Sequence, residues 1–230
     1  MTSIGDNINA VRTRVQQAAQ QSARDAADIK LLAVSKTRSI EEIAQAIACG
    51  QQSFGENYLQ EACDKITALQ NHAIEWHFIG PLQSNKTRAA AQRFDWVHSV
   101  DRIKIAQRLS AQRPTELPPL NICLQVNIDN QASKSGFFEQ QVIDAARQIS
   151  QLPNLRLRGL MAIPEAQSEY HRQRQPFARL RLLMDTLNSE LDNLPKLDTL
   201  SMGMSGDLEA AIAEGATIVR VGTDIFGPRN

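Results

Sequence analysis

What most constrains the fold of this 230-residue chain is a repeated unit, a short apolar run stopped by turn residues and followed by a stretch of helical character. The first run, Leu31-Leu32-Ala33-Val34, has no polar interruption, as expected of a short strand buried on both faces. It ends on Ser35-Lys36-Thr37. Behind it, Ser39-Ile40-Glu41-Glu42 has the form of a capping box, and Gly50 closes the helix it opens. The unit then returns. A strand at 53–55 precedes Asn57-Tyr58-Leu59-Gln60, a second capping-box form, and a strand at 76–79 is stopped by Gly80-Pro81 before a helix at 84–92. A strand at 96–100 leads to a helix capped by Asp101, and a strand at 120–128 leads to a helix at 138–150. A strand at 155–163 is followed by a helix with Pro176 as a first helical residue. Strands at 199–202 and 217–221 flank a helix at 207–213.

That makes eight strand–helix units after one extra N-terminal helix, whose Ile4, Ile8, Val11, Val15 and Ala18 form one apolar stripe. Strict alternation implies a parallel sheet, and eight units in slightly under the typical ~250 residues fit a closed barrel. The predicted fold class is α/β, a single (β/α)8 TIM barrel over residues 1–230 with an extra N-terminal helix; an open doubly wound sheet is the runner-up.

Charge and composition narrow the partners. With 25 basic and 25 acidic side chains, a zero formal net charge argues against nucleic acid or an anionic membrane as the main partner. Residues 1–10 hold no apolar core of signal-peptide length, and no apolar run approaches the roughly 20 residues that span a bilayer. Three cysteines without metal-ligand spacing suit a reducing cytoplasm, and four scattered histidines give a zinc site little support.

On the barrel reading, the carboxyl ends of the strands form one rim, where ligands bind. Lys36 reaches that rim from the first turn, Asn57 from the second, Ser201 to Ser205 from the seventh, Gly222 and Thr223 from the eighth. An ammonium placed there loses hydration, and a desolvated amine is readier to attack a carbonyl. Loops after strands seven and eight of such barrels often bind phosphate. Here Gly203, Gly206 and Gly222 let backbone approach a ligand, and Ser201, Ser205 and Thr223 supply hydroxyls. The helix starting near Gly206 directs free amides outward. Arg220 interrupts an apolar strand on the face shared by Ile218 and Gly222, so inside a barrel it needs a partner; otherwise it lies against an outer helix, paired with a carboxylate. On spacing alone, Asn57, Asp101 and Ser39 read as helix caps, and Met202 and Met204 as packing. An amine, a phosphate cradle and an arginine on one rim point to a ligand with an aldehyde, a phosphate and a ring nitrogen. Pyridoxal 5′-phosphate has all three; the substrate of a Schiff-base aldolase of sugar phosphates shares the first two.

The segments LLAVSK at 31–36, FGENY at 54–58, EWHFIGPLQSNK at 75–86, SKSG at 133–136, RGLMAI at 158–163, LSMGMS at 200–205 and VRVGTDIFG at 219–227 are specific in combination. With them the chain, from about residue 5 to Arg229, closely resembles the pyridoxal phosphate homeostasis protein family, itself similar to the barrel domain of alanine racemase and fold-type III decarboxylases. The resemblance implies that Lys36 forms the internal aldimine with the cofactor. It also implies that Ser201, Ser205, Gly222 and Thr223 hold the phosphate, that Arg220 faces the pyridine nitrogen and that Asn57 lines the pocket. Asp224 departs from the pattern, standing where a small residue such as alanine is expected; near a phosphate its charge is unfavourable unless it turns away.

The implied function is intracellular cofactor homeostasis: binding, shielding and delivering pyridoxal phosphate with little or no turnover, in transient contact with apoenzymes that use it. An amino-acid racemase is the alternative. An arginine stays protonated and leaves the ring a weaker electron sink. Racemisation needs an acid/base group on each face of the substrate, which alanine racemase completes with a tyrosine from a separate C-terminal domain. No such domain is expected here, and Tyr58 and Tyr170 stand in no matching context. Lys65, Lys86 and Lys134 are other possible acceptors of the cofactor, Lys134 the best candidate for a secondary contact.

Overall fold

The computed structural model of the chain describes residues 3–191 and 195–228; Arg229, where the resemblance ends, lies outside them. Its strands are β1 (Lys30–Val34), β2 (Ser53–Glu56), β3 (Glu75–Phe78), β4 (Trp96–Val100), β5 (Leu120–Gln125), β6 (Leu155–Met161), β7 (Thr199–Ser201) and β8 (Ile218–Val221). They form a closed parallel barrel in sequence order, β8 returning to β1 with Arg220 opposite Leu32. The helices are α1 (Ile4–Gln21), α2 (Ile40–Ala48), α3 (Leu59–Ala68), α4 (Thr87–Arg93), α5 (Ile103–Gln112), α6 (Glu139–Ile149), α7 (Tyr170–Glu190), α8 (Leu208–Ala213) and α9 (Thr223–Phe226). This is the expected α/β barrel with its N-terminal helix. α1 starts in a capping box between Ser3 and Asp6, buries Ile8, Val11, Val15 and Ala18, and packs on α2, α8 and α9.

Alternation sorts the side chains into two layers, because successive strand residues face opposite sides. Outward-facing Ala33, Phe54, Phe78, Val97, Ile122, Leu124 and Val219 join the helices' apolar stripes in the main core. The inward layer is narrower and mixed. Leu32, Ile79 and Ile218 cluster in one part and Trp96, Cys123 and Met161 in another, with His77, His98, Ser201 and Arg220 buried between them.

Several sequence expectations shift. Ser39 caps α2 in a full capping box, as its spacing indicates. Neither Asn57 nor Asp101 caps a helix: the N-caps are Tyr58 and Arg102, both without a side-chain cap bond, and Asp101 instead pairs with Arg102. Pro176 is not a first helical residue. α7 begins at Tyr170 and carries the proline in its second turn, where the missing N–H removes one ladder bond without ending the helix. β5 ends at Gln125, short of the expected 128; Val126 still donates its amide to the Met161 carbonyl of β6 (2.8 Å) and forms an isolated bridge with Phe137. The three cysteines are free thiols, and burial pushes the Cys123 thiol up to about 12. Among the described residues no helix is long and apolar enough to cross a membrane, and no group of His, Cys, Asp or Glu could hold a metal ion.

Candidate ligand site at the carboxyl rim

A cavity of about 230 Å³ opens at the carboxyl ends of the strands. Its lining brings together Lys36, Asn57, Ser205, Arg220, Gly222 and Thr223, six of the seven residues singled out from the sequence. The first, second, seventh and eighth βα turns supply five of them and β8 itself supplies Arg220, so residues up to 187 positions apart meet because the barrel closes.

Lys36 sits two residues beyond the end of β1. The chain is held around it from several sides. The Ser35 amide donates to the Gly55 carbonyl (3.0 Å), and the Arg38 amide closes a turn onto the Ser35 carbonyl (3.0 Å). Thr37 adopts φ 63°, a costly conformation for a β-branched residue, and its amide donates to Glu61 Oε1 (2.6 Å). Beneath this turn Lys65 donates to the Ser35 carbonyl (2.7 Å) and to Glu56 Oε1 (2.9 Å), which also accepts from the Ser35 hydroxyl (2.6 Å). Lys65 is thus buried and engaged, a support for the lysine turn. Burial pushes the Glu56 carboxyl up, against the pull of Lys65. Lys134 pairs with Asp129 (2.5 Å) and lines a neighbouring cavity of about 450 Å³, which shares Asn57, Ile79 and Ile163 with the first.

Asn57 enters the lining because the turn after β3 presses onto its backbone. A Cβ on Gly80 would lie 2.2 Å from the Asn57 carbonyl oxygen, so only glycine permits this approach. Asn57 Oδ1 is buried and has no hydrogen-bond partner among the described residues.

Arg220 points into the barrel. Its guanidinium donates to the Ser201 carbonyl, to Ser201 Oγ (2.8 Å) and to the Ala162 carbonyl (2.9 Å). The partner is therefore a set of neutral oxygens and not the carboxylate of an outer helix. Burial lowers its pKa to about 10, so it remains a cation at neutral pH. Ser201 is the one expected lining residue that the cavity does not include: it is fully buried below Arg220, its hydroxyl committed to Arg220 and His98. The reason is its place on the strand. Ser201 lies on β7 proper, while Ser205 lies in the loop beyond it.

Asp224 turns away from the cavity to α1, where Arg14 meets it at 2.5 Å. The same guanidinium holds Glu209 (2.8 Å) and the Ser205 carbonyl (2.9 Å), tying the two glycine-containing turns together. Arg38 is a lining residue that the sequence reading passed over; it donates to the Gly227 and Pro228 carbonyls and anchors the turn after α9. A charged side chain two residues past Lys36 was the available signal. A wider groove of about 510 Å³ lies at the opposite rim, lined by Lys30, Gln51 and Ser53 among others, but Lys30 there is paired with Glu75.

The lining carries an amine, two guanidinium groups, two hydroxyls and an amide, with no carboxylate, imidazole or phenol among the described residues. Such a donor set fits an anionic ligand that also bears an electrophilic carbonyl. The unsatisfied Asn57 oxygen would accept from a donor on it.

Comparison with known proteins agrees on the family. The alanine racemase N-terminal domain family matches residues 7–230. The pyridoxal phosphate homeostasis protein of Pseudomonas aeruginosa is 57% identical, the alignment covering 100% of this chain and 97% of that protein. The protein of the same name from Vibrio cholerae is 52% identical over 100% of this chain and 98% of its own. The solved structure of PipY from Synechococcus elongatus, described with pyridoxal phosphate bound, superposes with a TM-score of 0.85 at 35% identity, covering 98% of this chain and 100% of that one.

Proposed function

The chain belongs to the alanine racemase N-terminal domain family, and from that we propose that it binds pyridoxal 5′-phosphate in the rim cavity, shields it and hands it on as part of cytoplasmic cofactor homeostasis. One observation carries the reading: Lys36, Arg220, Ser205 and Thr223 share a single cavity whose described lining has no carboxylate. When bound, the cofactor supplies an aldehyde that condenses with amines and a ring that withdraws electrons.

The chain's own residues divide the work. The Lys36 amine makes the covalent attachment. The Ser205 and Thr223 hydroxyls and the Gly206 and Gly222 backbone hold the phosphate, with Arg14 fixing the turn that carries Ser205. Arg220 faces the ring nitrogen and, as a cation, gives it no proton, so the ring withdraws electrons weakly. Asn57 offers its free oxygen to a donor. Lys36 is the one ordinary proton acceptor in the described lining, whereas racemisation needs a group on each face. Tyr58 and Tyr170 are 55% and 51% exposed and line no part of this cavity. This supports a carrier with little or no turnover, in transient contact with apoenzymes that receive the cofactor.

The test is borohydride reduction of the purified, cofactor-loaded protein followed by peptide mass spectrometry. The expected modification is on Lys36, and Lys36→Ala abolishes the visible absorption band. Modification confined to Lys134 would overturn the assignment. Interconversion of D- and L-amino acids at about 1 per second or faster would replace the carrier with an enzyme.

A further inference from the structure

The interior of the barrel holds polar residues that the site just described does not use. They are not scattered. Arg220 Nη1 lies 2.8 Å from Ser201 Oγ, Ser201 Oγ 2.7 Å from His98 Nδ1, His98 Nε2 2.8 Å from His77 Nδ1, and His77 Nε2 2.9 Å from Glu75 Oε2. Strands β8, β7, β4 and β3 supply the links in turn, and the line runs from the carboxyl rim to the opposite one. There Glu75 also accepts from Lys30, from the Ser53 hydroxyl (3.1 Å) and from the Trp96 indole (2.9 Å).

The chemistry of the two ends sets every proton between them. A guanidinium only donates and an ionised carboxylate only accepts. Glu75 therefore takes a proton from His77 Nε2, which leaves Nδ1 of a neutral His77 as an acceptor. His98 must then donate from Nε2 and accept at Nδ1 from the Ser201 hydroxyl, whose oxygen is left to accept from Arg220. Four bonds point one way, from cation to anion. We infer that Ser201, His98, His77 and Glu75 are positioning residues for Arg220, a one-way donor chain that fixes the orientation of its guanidinium from the far end of the barrel. Such aligned bonds polarise one another in a dry interior.

The surroundings agree. His77 stacks on Trp96 at 5.4 Å between centroids, which fixes its ring plane. Burial, opposed by Glu75, holds His77 below its ordinary pKa; burial, His77 and Arg220 hold His98 well below its own. Lys30 and the hydrogen bond from His77 outweigh burial and keep Glu75 ionised. Both imidazoles are thus neutral, as the order of donors demands.

What Arg220 faces in the cavity rests on the cofactor reading above; the chain itself does not, and the tests keep the two apart. The first uses cofactor-free protein and nitrogen-15 NMR of the histidine side chains. Both His77 and His98 are expected as neutral Nε2–H tautomers at about pH 7 to 8, with slow rotation of the Arg220 guanidinium that becomes fast in Glu75→Gln. An Nδ1–H tautomer, a doubly protonated ring in that range, or unchanged Arg220 rotation would overturn the inference. The second uses protein loaded with pyridoxal phosphate. Glu75→Gln, whose amide can also donate and so no longer fixes the direction of the chain, weakens binding about tenfold, the lower end of what altering an outer-shell partner costs at a metal site, and shifts the visible band. Val97→Ala, a change in the apolar shell beside the chain, leaves the band in place. An equal shift in Val97→Ala, or none in Glu75→Gln, would sink the positioning role. Failure of the unaltered protein to form any band would count against the cofactor reading alone, and the NMR would still decide the chain.

Discussion

The two faces of the same eight strands could hardly be more different. Toward the helices the sheet presents Phe54, Phe78, Val97, Ile122 and Leu124, fully or almost fully buried and apolar. Toward the barrel axis it presents Glu75, His77, His98, Ser201 and Arg220, joined end to end. In the shell, helices with broad apolar stripes cover the sheet and no side-chain bond is needed there, so burial alone gives stability. The axis admits no helix. It is filled by side chains, and a polar one is tolerated only while its neighbours satisfy it. The shell therefore holds the barrel closed, and the axis holds one guanidinium in place at the rim.

That division can be broken by experiment. The largest effect belongs in the shell: Phe54→Ala, which removes a fully buried ring packed 5.8 Å from Trp76, should cost about 3–5 kcal/mol in urea denaturation. Folded Phe54→Ala protein should keep its cofactor affinity, and a large loss of affinity would mean that the layers are not separable. Next comes pH. His77 and His98 are held neutral when folded but take protons near pH 6.5 when unfolded. Below that value the unfolded chain binds more protons, so stability is whole above it and falls as pH drops toward the folded-state values. The slope approaches about 1.4 kcal/mol per pH unit for each histidine. Denaturation midpoints of cofactor-free protein should drop between pH 7 and 5, before carboxylates titrate; a flat profile would mean that the axis is wet.

Ser201→Ala should cost less than either, about 1–3 kcal/mol, because it strands His98 Nδ1 but leaves Arg220 its two carbonyl acceptors. A cost above that of Phe54→Ala would reverse the ranking of the layers. Smallest is Arg14→Ala. Its ion pairs are about one-third exposed and screened, so less than about 1 kcal/mol of stability is at stake. Freed Asp224 then stands unpaired beside Thr223, and cofactor affinity should fall about threefold, an effect of that same size. Asp224→Ala in the Arg14→Ala background should restore the affinity, as titration calorimetry can check.

Legibility followed the same division. Shell residues announce themselves, because periods of two and 3.6 in apolar residues are local signals. The strands and most helices emerge from them, as does Lys36 at the end of β1. Asn57 was harder. Its spacing imitates a helix cap, and only the approach of Gly80 shows why it serves the cavity instead. Ser201 and Ser205 look alike in sequence, yet the last residue of β7 faces down the axis and the loop residue faces the ligand space. The histidines looked scattered. Alternation along β3 and β4 could have placed Glu75, His77 and His98 on one face, but not within bonding distance of each other.

By itself, then, the sequence determined the repeating unit, its number and the place of Lys36 at the end of the first strand, because alternation and turn chemistry act over a few residues. The tertiary structure alone decided that Arg220 is satisfied by Ser201 and Ala162, that Asp224 answers to Arg14, and that four polar links cross the axis. Those pairings depend on barrel closure, which brings together groups from 19 positions apart, as Arg220 and Ser201, to 210, as Arg14 and Asp224, and no local pattern encodes a distance of that kind.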